Sequence, residues 1–278
     1  MIAQDYSILL CTNGDERTRP ALQYGVWLAG LLDKKVLLIG ISETTAKQEA
    51  LTGLIAEATS NLDKAAVPYE VKIEAGNGAS VVAGYANSGK YLSVVGRLGR
   101  PYWRRFIQGR SFRRFMEAVN TPILYVPKMR LPLKRILICL GGLDYARDME
   151  DLCFQIAKAA QAELCLLHVV EPVTLDYPLA REVQDHWKDI IATDTVVGRN
   201  LRRSMEAAEK TGCTVGFEVR QGNILHEIVH EARDGDFDLI GMGSAYSAHA
   251  LRHLYLPNIT AEVAEALECP VLTARFGG

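Results

Sequence analysis

The sequence has few features that would direct it to a membrane or to an oxidising compartment. No apolar run approaches the roughly 18 residues that a membrane span requires. The first residues carry neither the basic segment nor the cleavage site of a signal peptide. The 6 cysteines are scattered at irregular intervals, mostly within apolar runs, where a thiol behaves as a small hydrophobic side chain. We therefore expect a reduced, cytoplasmic protein without a membrane association.

The chain also has little net charge, −2 over 278 residues, and 49% of its residues are apolar. This composition is typical of a soluble globular protein and excludes intrinsic disorder. The charge is uneven, however: residues 1–130 carry 17 basic and 11 acidic side chains, whereas residues 131–278 carry 14 and 22. Such asymmetry predicts that one half binds an anion. The basic excess is concentrated in Arg97, Arg100, Arg104, Arg105, Arg110, Arg113 and Arg114.

An internal repeat divides the chain into two similar halves. Four segments recur in the same order, at offsets of 128 residues for the first two and of 146 and 148 for the others. The pairs are SILLCTNG (7–14) and RILICLGG (135–142), VLLIGI (36–41) and LCLLHV (164–169), EAGN (74–77) and RQGN (220–223), and NTPIL (120–124) and ECPVL (268–272). We predict two domains, residues 1–127 (the first half) and 133–278 (the second half), joined by a proline-containing linker.

Each half is predicted to alternate strands and helices. Short continuous runs rich in Val, Ile and Leu are typical of parallel strands that are buried on both faces. The predicted strands are 7–12, 36–41, 69–75, 91–96 and 123–126 in the first half, and 135–140, 164–170, 214–220, 237–243 and 271–274 in the second. An insertion of 18 residues is predicted to lengthen the second helix of the second half. Its apolar stripe is Val183, Trp187, Ile190, Ile191, Val197, Leu201 and Met205. The alternation predicts an α/β fold with a doubly wound parallel five-stranded sheet in each half.

The loop after the fourth strand of the first half contains a glycine pattern. Gly96, Gly99 and Gly109 follow the spacing G-x2-G-x9-G and end at a predicted helix start. Glycine lets the backbone approach a ligand closely, and a helix N-terminus directs N–H groups at an anion. Loops at the carboxyl ends of strands are the usual ligand site of open α/β sheets. Glycines also serve tight turns without any ligand, so phosphate binding and simple packing both stay open.

Together with the five-strand unit, the Cys/Thr-Pro-Val/Ile-Leu final strand and the Gly-Asn turn after strand three, this loop resembles the universal stress protein family. The resemblance covers nearly the whole chain as two tandem copies. It implies an adenine nucleotide alpha hydrolase-like fold with strand order 3-2-1-4-5 in each half. It also implies that the last strands of the two halves pair about a two-fold axis, which makes the chain an intramolecular pseudo-dimer. A further homodimer and unidentified protein partners are compatible with it.

The resemblance further implies ATP or AMP as a ligand of the first half, with no metal beyond the Mg²⁺ that accompanies a nucleotide. The implied nucleotide-binding residues are Thr12, Asn13, Ile41, Gly96, Gly99, Gly109, Arg110 and Ser111.

The chain departs from the family pattern at several points. Asn13 stands where ATP-binding members have Asp, and Arg110 occupies the Ser/Thr place, although Ser111 follows it. Arg110 is expected either to form an ion pair with phosphate or to fill the pocket. In the second half, Tyr246 replaces the second glycine and Pro257, which has no N–H, replaces the last. We expect the second half to have lost its nucleotide site.

Other patterns suggest different chemistry. His226 to His230 matches the H-E-x-x-H pattern of zinc proteases, but the apolar residues of that helix are expected to leave both histidines outside. The segment around Asp144 resembles the S-G-G-x-D-S loop of PP-loop ATP pyrophosphatases with both serines lost, and Asp144 is expected to cap the next helix. His249 and His253 lie in the replaced loop, and their role stays open. Aromatic residues among the arginines would suit nucleic-acid stacking, although helical spacing turns some towards the sheet. They are Tyr102, Trp103, Phe106, Phe112 and Phe115.

Neither set of loops contains a positioned nucleophile, a carboxylate pair or an acid–base arrangement. The sequence therefore indicates a regulatory or stress-response protein that is at most a slow ATPase, with no catalytic residue and no metal site assigned. The alternative is a protein-interaction module of the same fold that binds no nucleotide.

Overall fold

A computed structural model describes residues 6–42, 47–97, 109–142, 146–172, 187–244 and 259–275, in which strands and helices alternate in both halves. The elements of the first half are β1 (Ser7–Thr12), α1 (Arg19–Leu32), β2 (Val36–Ser42), α2 (Gln48–Lys64), β3 (Tyr69–Ala75), α3 (Gly78–Ser88), β4 (Tyr91–Val95), α4 (Gly109–Ala118) and β5 (Ile123–Tyr125). Those of the second are β6 (Arg135–Cys139), α5 (Arg147–Ala160), β7 (Glu163–Val170), α6 (Val196–Glu209), β8 (Val215–Gln221), α7 (Ile224–Asp234), β9 (Leu239–Ser244), α8 (Ile259–Ala266) and β10 (Val271–Arg275). Every predicted strand is present with small shifts at its ends.

The ten strands form one sheet in the order β3-β2-β1-β4-β5-β10-β9-β6-β7-β8. Within each half all neighbouring strands are parallel. Each half therefore has the expected order 3-2-1-4-5, and the predicted α/β fold is confirmed. The two expected sheets are continuous with each other, since their last strands hydrogen-bond.

The joint between the halves is the antiparallel pair β5–β10. Leu124 lies directly opposite Leu272, with Ile123 opposite Thr273 and Tyr125 opposite Val271. Leu124 and Leu272 occupy the same place in the repeat, so the pairing has a two-fold relation about this leucine pair. Helices α1 and α5 also contact each other, as do α4 and α8. The predicted pairing of the last strands is confirmed.

Helices cover both faces of the sheet. Helices α1, α2, α5 and α6 pack on one face around buried residues such as Leu28 and Leu38. Helices α3, α4, α7 and α8 pack on the other face around residues such as Phe115 and Phe237. Because both faces are covered, the central strands are apolar at nearly every position. Among the described residues, no helix is long and apolar enough to cross a membrane.

The prediction of one lengthened second helix in the second half is wrong. A short 3-10 helix spans Trp187–Ala192, and α6 starts separately at Val196. The Thr195 side chain accepts a hydrogen bond from the Gly198 N–H at 3.0 Å, which starts a new helix. A Cβ at Gly198 would lie 2.4 Å from the Thr193 carbonyl oxygen, so the preceding chain folds tightly over the first turn. The rest of the insertion, including Val183, lies outside the described residues.

Candidate functional site

Three of the implied nucleotide-binding residues of the first half lie at the carboxyl ends of its strands. β1 ends at Thr12, Ile41 is the next-to-last residue of β2, and Gly96 directly follows β4. Because the three strands are parallel neighbours, their ends meet at one edge of the sheet. The fold therefore brings these three positions together.

Thr12 supports the loop that follows β1. Its hydroxyl is buried, accepts a hydrogen bond from the Gly14 N–H at 3.2 Å, and lies 2.7 Å from the hydroxyl of Thr18. The Thr18 hydroxyl donates to the Asp15 carbonyl oxygen at 2.7 Å, so Thr12 must be the donor between the two threonines. The Thr12 hydroxyl thus holds the loop in shape.

Asn13 is also bonded within this loop. Its Oδ1 accepts from the Asp15 N–H at 3.2 Å, an arrangement typical of an Asx turn. Asp15 in turn binds the Arg17 guanidinium at 2.9 and 2.7 Å, and Lys47 lies 4.0 Å away. The hydrogen bond from Arg17 lowers the pKa of Asp15 to about 2. The loop from Asn13 to Arg17 is therefore ordered by its own contacts.

Gly96 has a packing role in addition to its implied ligand role. A Cβ built on Gly96 would lie 2.9 Å from the Thr18 Cα and 3.0 Å from the Arg17 carbonyl oxygen. Those residues belong to the 3-10 helix Glu16–Thr18, which therefore crosses directly over the end of β4. Any larger residue at this position would displace the loop after β1.

Gly109, the end of the glycine pattern, is the first described residue of α4. The helix is described from Gly109 to Ala118 and contains Arg110 and Ser111. Gly99 and the side chains of Arg110 and Ser111 lie outside the described part. The first N–H groups of a helix have no partner within it, so a helix that starts at this edge of the sheet directs free donors towards a ligand there.

Two aromatic residues that the nucleic-acid hypothesis would use for stacking are buried. Phe112 and Phe115 are 4% and 1% exposed, and Phe112 packs against Tyr125 with ring centroids 4.6 Å apart. They hold α4 against the sheet and leave no ring face for a base. Tyr102, Trp103 and Phe106 lie outside the described residues.

Sequence reasoning missed a contact between the halves beside the glycine loop. Arg97, which follows Gly96, binds Glu268 of the second half at 3.1 Å, and Lys128 lies 3.6 Å from the same carboxylate. Arg113 pairs with Glu117 at 2.9 Å on α4. The opposite net charges of the halves are the only sequence signal for the contact at Glu268. These two arginines of the basic cluster thus have carboxylate partners.

In the second half, described side chains pack closely against the end of β6. A Cβ on Gly142 would lie 2.5 Å from Val197 Cγ1, and Asn200 donates to the Gly142 carbonyl oxygen at 3.1 Å. His168, buried on β7, lies with Nδ1 2.7 Å from the Leu140 carbonyl oxygen. Helix α8 is described from Ile259. Asp144, Tyr246, His249, His253 and Pro257 lie outside the described residues.

The zinc-protease pattern lies on α7 as predicted, with His226 and His230 exposed. Glu227, which that pattern would use as a base, lies 3.5 Å from Arg220. His230 Nδ1 lies 3.1 Å from Asp234. Within the described ranges, no group of three or more His, Cys, Asp or Glu residues is placed to hold a metal ion.

Comparisons of the sequence and of the fold with known proteins point to the same family. The model of the Universal stress protein family matches residues 132–275. The chain is 25% identical to the universal stress protein Slr1230 of Synechocystis over 307 aligned positions, 97% of this chain and 99% of that protein. It is 28% identical to the universal stress protein YxiE of Bacillus subtilis over 146 positions, 51% of this chain and 98% of that protein. A solved universal stress protein from Archaeoglobus fulgidus has the same fold, with a TM-score of 0.73 at 16% identity and 98% coverage of both chains.

Proposed function

Because the chain belongs to the universal stress protein family, we propose that it is a cytoplasmic regulatory or stress-response protein whose first half binds ATP or another adenine nucleotide. The observation that carries this proposal is that Gly109, at the end of the G-x2-G-x9-G pattern, lies in α4. The resemblance assigns that position to the phosphate loop.

The phosphates are proposed to bind at the first turn of α4. Its free N–H groups and the positive end of the helix dipole favour an anion. Phe112 and Phe115 support this binding mode because they anchor the helix in the core and keep its first turn in place before a ligand arrives. The Arg110 guanidinium is proposed to replace the missing Ser/Thr hydroxyl with a charged contact to phosphate.

The adenosine is proposed to bind over the ends of β1 and β2. Asn13 offers an amide in place of the family's carboxylate, and Ile41, which is 3% exposed, supports the same edge through its packing in the core. Thr12 acts indirectly, since its hydroxyl holds the loop that carries Asn13. Mg²⁺ is expected only as a companion of the phosphates, and any ATP hydrolysis is expected to be slow because no group is assigned to activate water.

A matched pair of substitutions tests the site. We expect ATP, ADP or AMP to raise the melting temperature of the wild type, with a stabilisation of about 2.7 kcal/mol at a ligand concentration of 100 Kd. Gly109→Val should abolish this shift, because a β-branched side chain would occupy the space of the phosphates. Pro257→Val, at the same place in the second half, should keep the full shift.

The melting temperature of each variant without nucleotide serves as the folding control. Equal loss of the nucleotide shift in both variants contradicts the proposed difference between the halves.

The protein-interaction module without nucleotide has one observation in its favour. The Thr12 hydroxyl is already used in a hydrogen bond within the loop after β1. Close packing against that loop already explains why residue 96 is a glycine. If none of the three nucleotides shifts the melting temperature of the wild type, this second function replaces the first.

A further inference from the structure

The sheet has two outer strands, β3 and β8, and they differ in exposure. Four large apolar side chains are exposed among the described residues, Tyr69, Ile73, Met129 and Val196, and two of them lie on β3. Tyr69 is 36% exposed and Ile73 is 63% exposed. Exposed apolar residues on an outer strand favour pairing with another strand.

The backbone groups that β3 presents outward follow from its hydrogen bonds to β2. The Val36 N–H donates to the Pro68 carbonyl oxygen at 2.9 Å, and the Gly76 N–H donates to the Ser42 carbonyl oxygen at 3.3 Å. In a parallel ladder alternate residues of a strand face the same neighbour. The even-numbered residues from 68 to 76 therefore bond to β2, while the N–H and C=O groups of Tyr69, Val71, Ile73 and Ala75 face away from it.

Charge and the exposed apolar side chains together select one register for antiparallel pairing of this edge with itself. With Val71 opposite Val71 of a second copy, Glu70 lies opposite Lys72 and Tyr69 lies opposite Ile73, each twice. Moving the centre of the pairing by one residue places Glu70 opposite Glu70 or Lys72 opposite Lys72. Like charges directly opposite each other are destabilising. Pairing centred on Ile73 leaves Tyr69 uncovered. Of these registers, only the one centred on Val71 pairs Glu70 with Lys72 and also pairs Tyr69 with Ile73.

The side chains on β3 are placed to make these contacts. Lys72 Nζ lies 3.2 Å from Glu70 on the same strand, so both charges point to one face of the sheet. Two copies in the Val71-centred register would bring two lysines and two glutamates together in one alternating cluster. On the opposite face, Ile73 packs beside Gly40, where a Cβ would lie 3.5 Å from its Cγ1.

We propose that β3 is a docking edge for a second copy of this chain, paired antiparallel and centred on Val71. The dimer is closed, because the same strand is used on both sides. Since one strand pair is small compared with a standard interface, the dimer should dissociate on dilution. The proposal does not depend on nucleotide binding.

The other outer strand lacks this complementarity. β8 pairs with β7 in the same register as β3 with β2, which places Phe217 where β3 has Val71. Gly216 and Glu218 then replace Glu70 and Lys72, so self-pairing of β8 centred on Phe217 gains no ion pair. The cation of β8, Arg220, pairs with Glu227 and Glu231 on α7.

Sedimentation velocity over a range of protein concentrations tests the proposal. The wild type should shift from monomer to dimer as concentration rises. Val71→Pro should abolish the dimer, because it removes an outward N–H that β2 does not use. Phe217→Pro, the matched change on β8, should leave the dimer in place. A wild type that stays monomeric, or equal loss in both variants, overturns the proposal.

Charge reversal tests the register. Lys72→Glu and Glu70→Lys should each be monomeric alone, because like charges then face each other. An equimolar mixture of the two should form a heterodimer, since one copy then carries two glutamates and the other two lysines. This rescue also shows that both variants are folded. A mixture that stays monomeric, or a dimer of Glu70→Lys alone, contradicts the Val71-centred register.

Discussion

At the scale of single residues, His168 is a histidine whose surroundings oppose its charge. It is 6% exposed, and its Nδ1 lies 2.7 Å from the Leu140 carbonyl oxygen. A carbonyl only accepts, so Nδ1 carries a proton and the neutral ring keeps Nε2 as acceptor. Burial lowers the pKa of His168 below its usual 6.5, and the bond to Leu140 opposes that change only in part.

We predict that the free energy of unfolding falls as the pH drops below about 6.5, because the unfolded chain then binds a proton that buried His168 resists. Between pH 7 and pH 5 this contribution has an upper limit of about 2 kcal/mol. His168→Asn keeps a donor near Leu140 but does not titrate, so it should flatten this part of the profile. Urea unfolding of both proteins at several pH values measures the difference. A variant with the same pH dependence as the wild type shows that other groups cause it.

The residues of the candidate site were predictable only in part. The spacing of Gly96, Gly99 and Gly109 indicated a loop between β4 and α4, because glycines leave local signals in a sequence. The packing of Gly96 against Thr18 joins residues that are distant in the chain and depends on how the loop after β1 folds. Local spacing carries no information on such a contact. The same is true of the pairing of Arg97 with Glu268.

At the scale of elements, the strands were predictable and the insertion was not. A strand covered on both faces is a continuous apolar run, which the sequence shows directly. The apolar stripe through Ile190 and Val197 also fits one long helix, but Thr195 and the close approach at Gly198 divide it. The helix starts anew at the Thr195 cap although the apolar stripe is continuous, because these apolar side chains can be buried without an unbroken helix.

Helix α7 carries the H-E-x-x-H pattern, which would imply a zinc hydrolase, and we predict that it binds no metal. A catalytic zinc requires three protein ligands at about 2.0–2.2 Å, whereas His226 and His230 supply two, on an exposed face. Protein purified without a histidine tag should contain no stoichiometric zinc by elemental analysis. EDTA should leave its melting temperature unchanged. Zinc near one equivalent that disappears in His226→Ala would restore the hydrolase hypothesis.

At the scale of the whole molecule, the two halves are coupled through a short joint. β5 contributes 3 residues to it, and both leucines at its centre, Leu124 and Leu272, are fully buried. Each leucine packs in the core on the α1 and α5 side of the sheet. Their removal therefore affects both halves at once.

We predict that Leu124→Ala and Leu272→Ala each lower the free energy of unfolding by about 2–5 kcal/mol. The double variant should deviate from additivity by roughly 0.5–3 kcal/mol, because the two side chains share one contact. Leu38→Ala and Leu166→Ala form the matched control, since these buried leucines occupy equivalent places in β2 and β7, on opposite sides of the joint. Their effects should add within about 0.5 kcal/mol. Urea unfolding of all six variants measures both cycles, and additivity at the joint would contradict the coupling.

The reversal of strand direction between β5 and β10 has a consequence for communication across the molecule. The carboxyl ends of the strands in the two halves lie at opposite edges of the sheet, and the loops that follow these strands lie there too. A strand of five residues spans roughly 17 Å, about twice the Debye length at physiological ionic strength. Solvent-exposed charges at one edge are therefore largely screened from those at the other. We expect a signal between the two edges to pass through the packed core and the leucine pair at its centre.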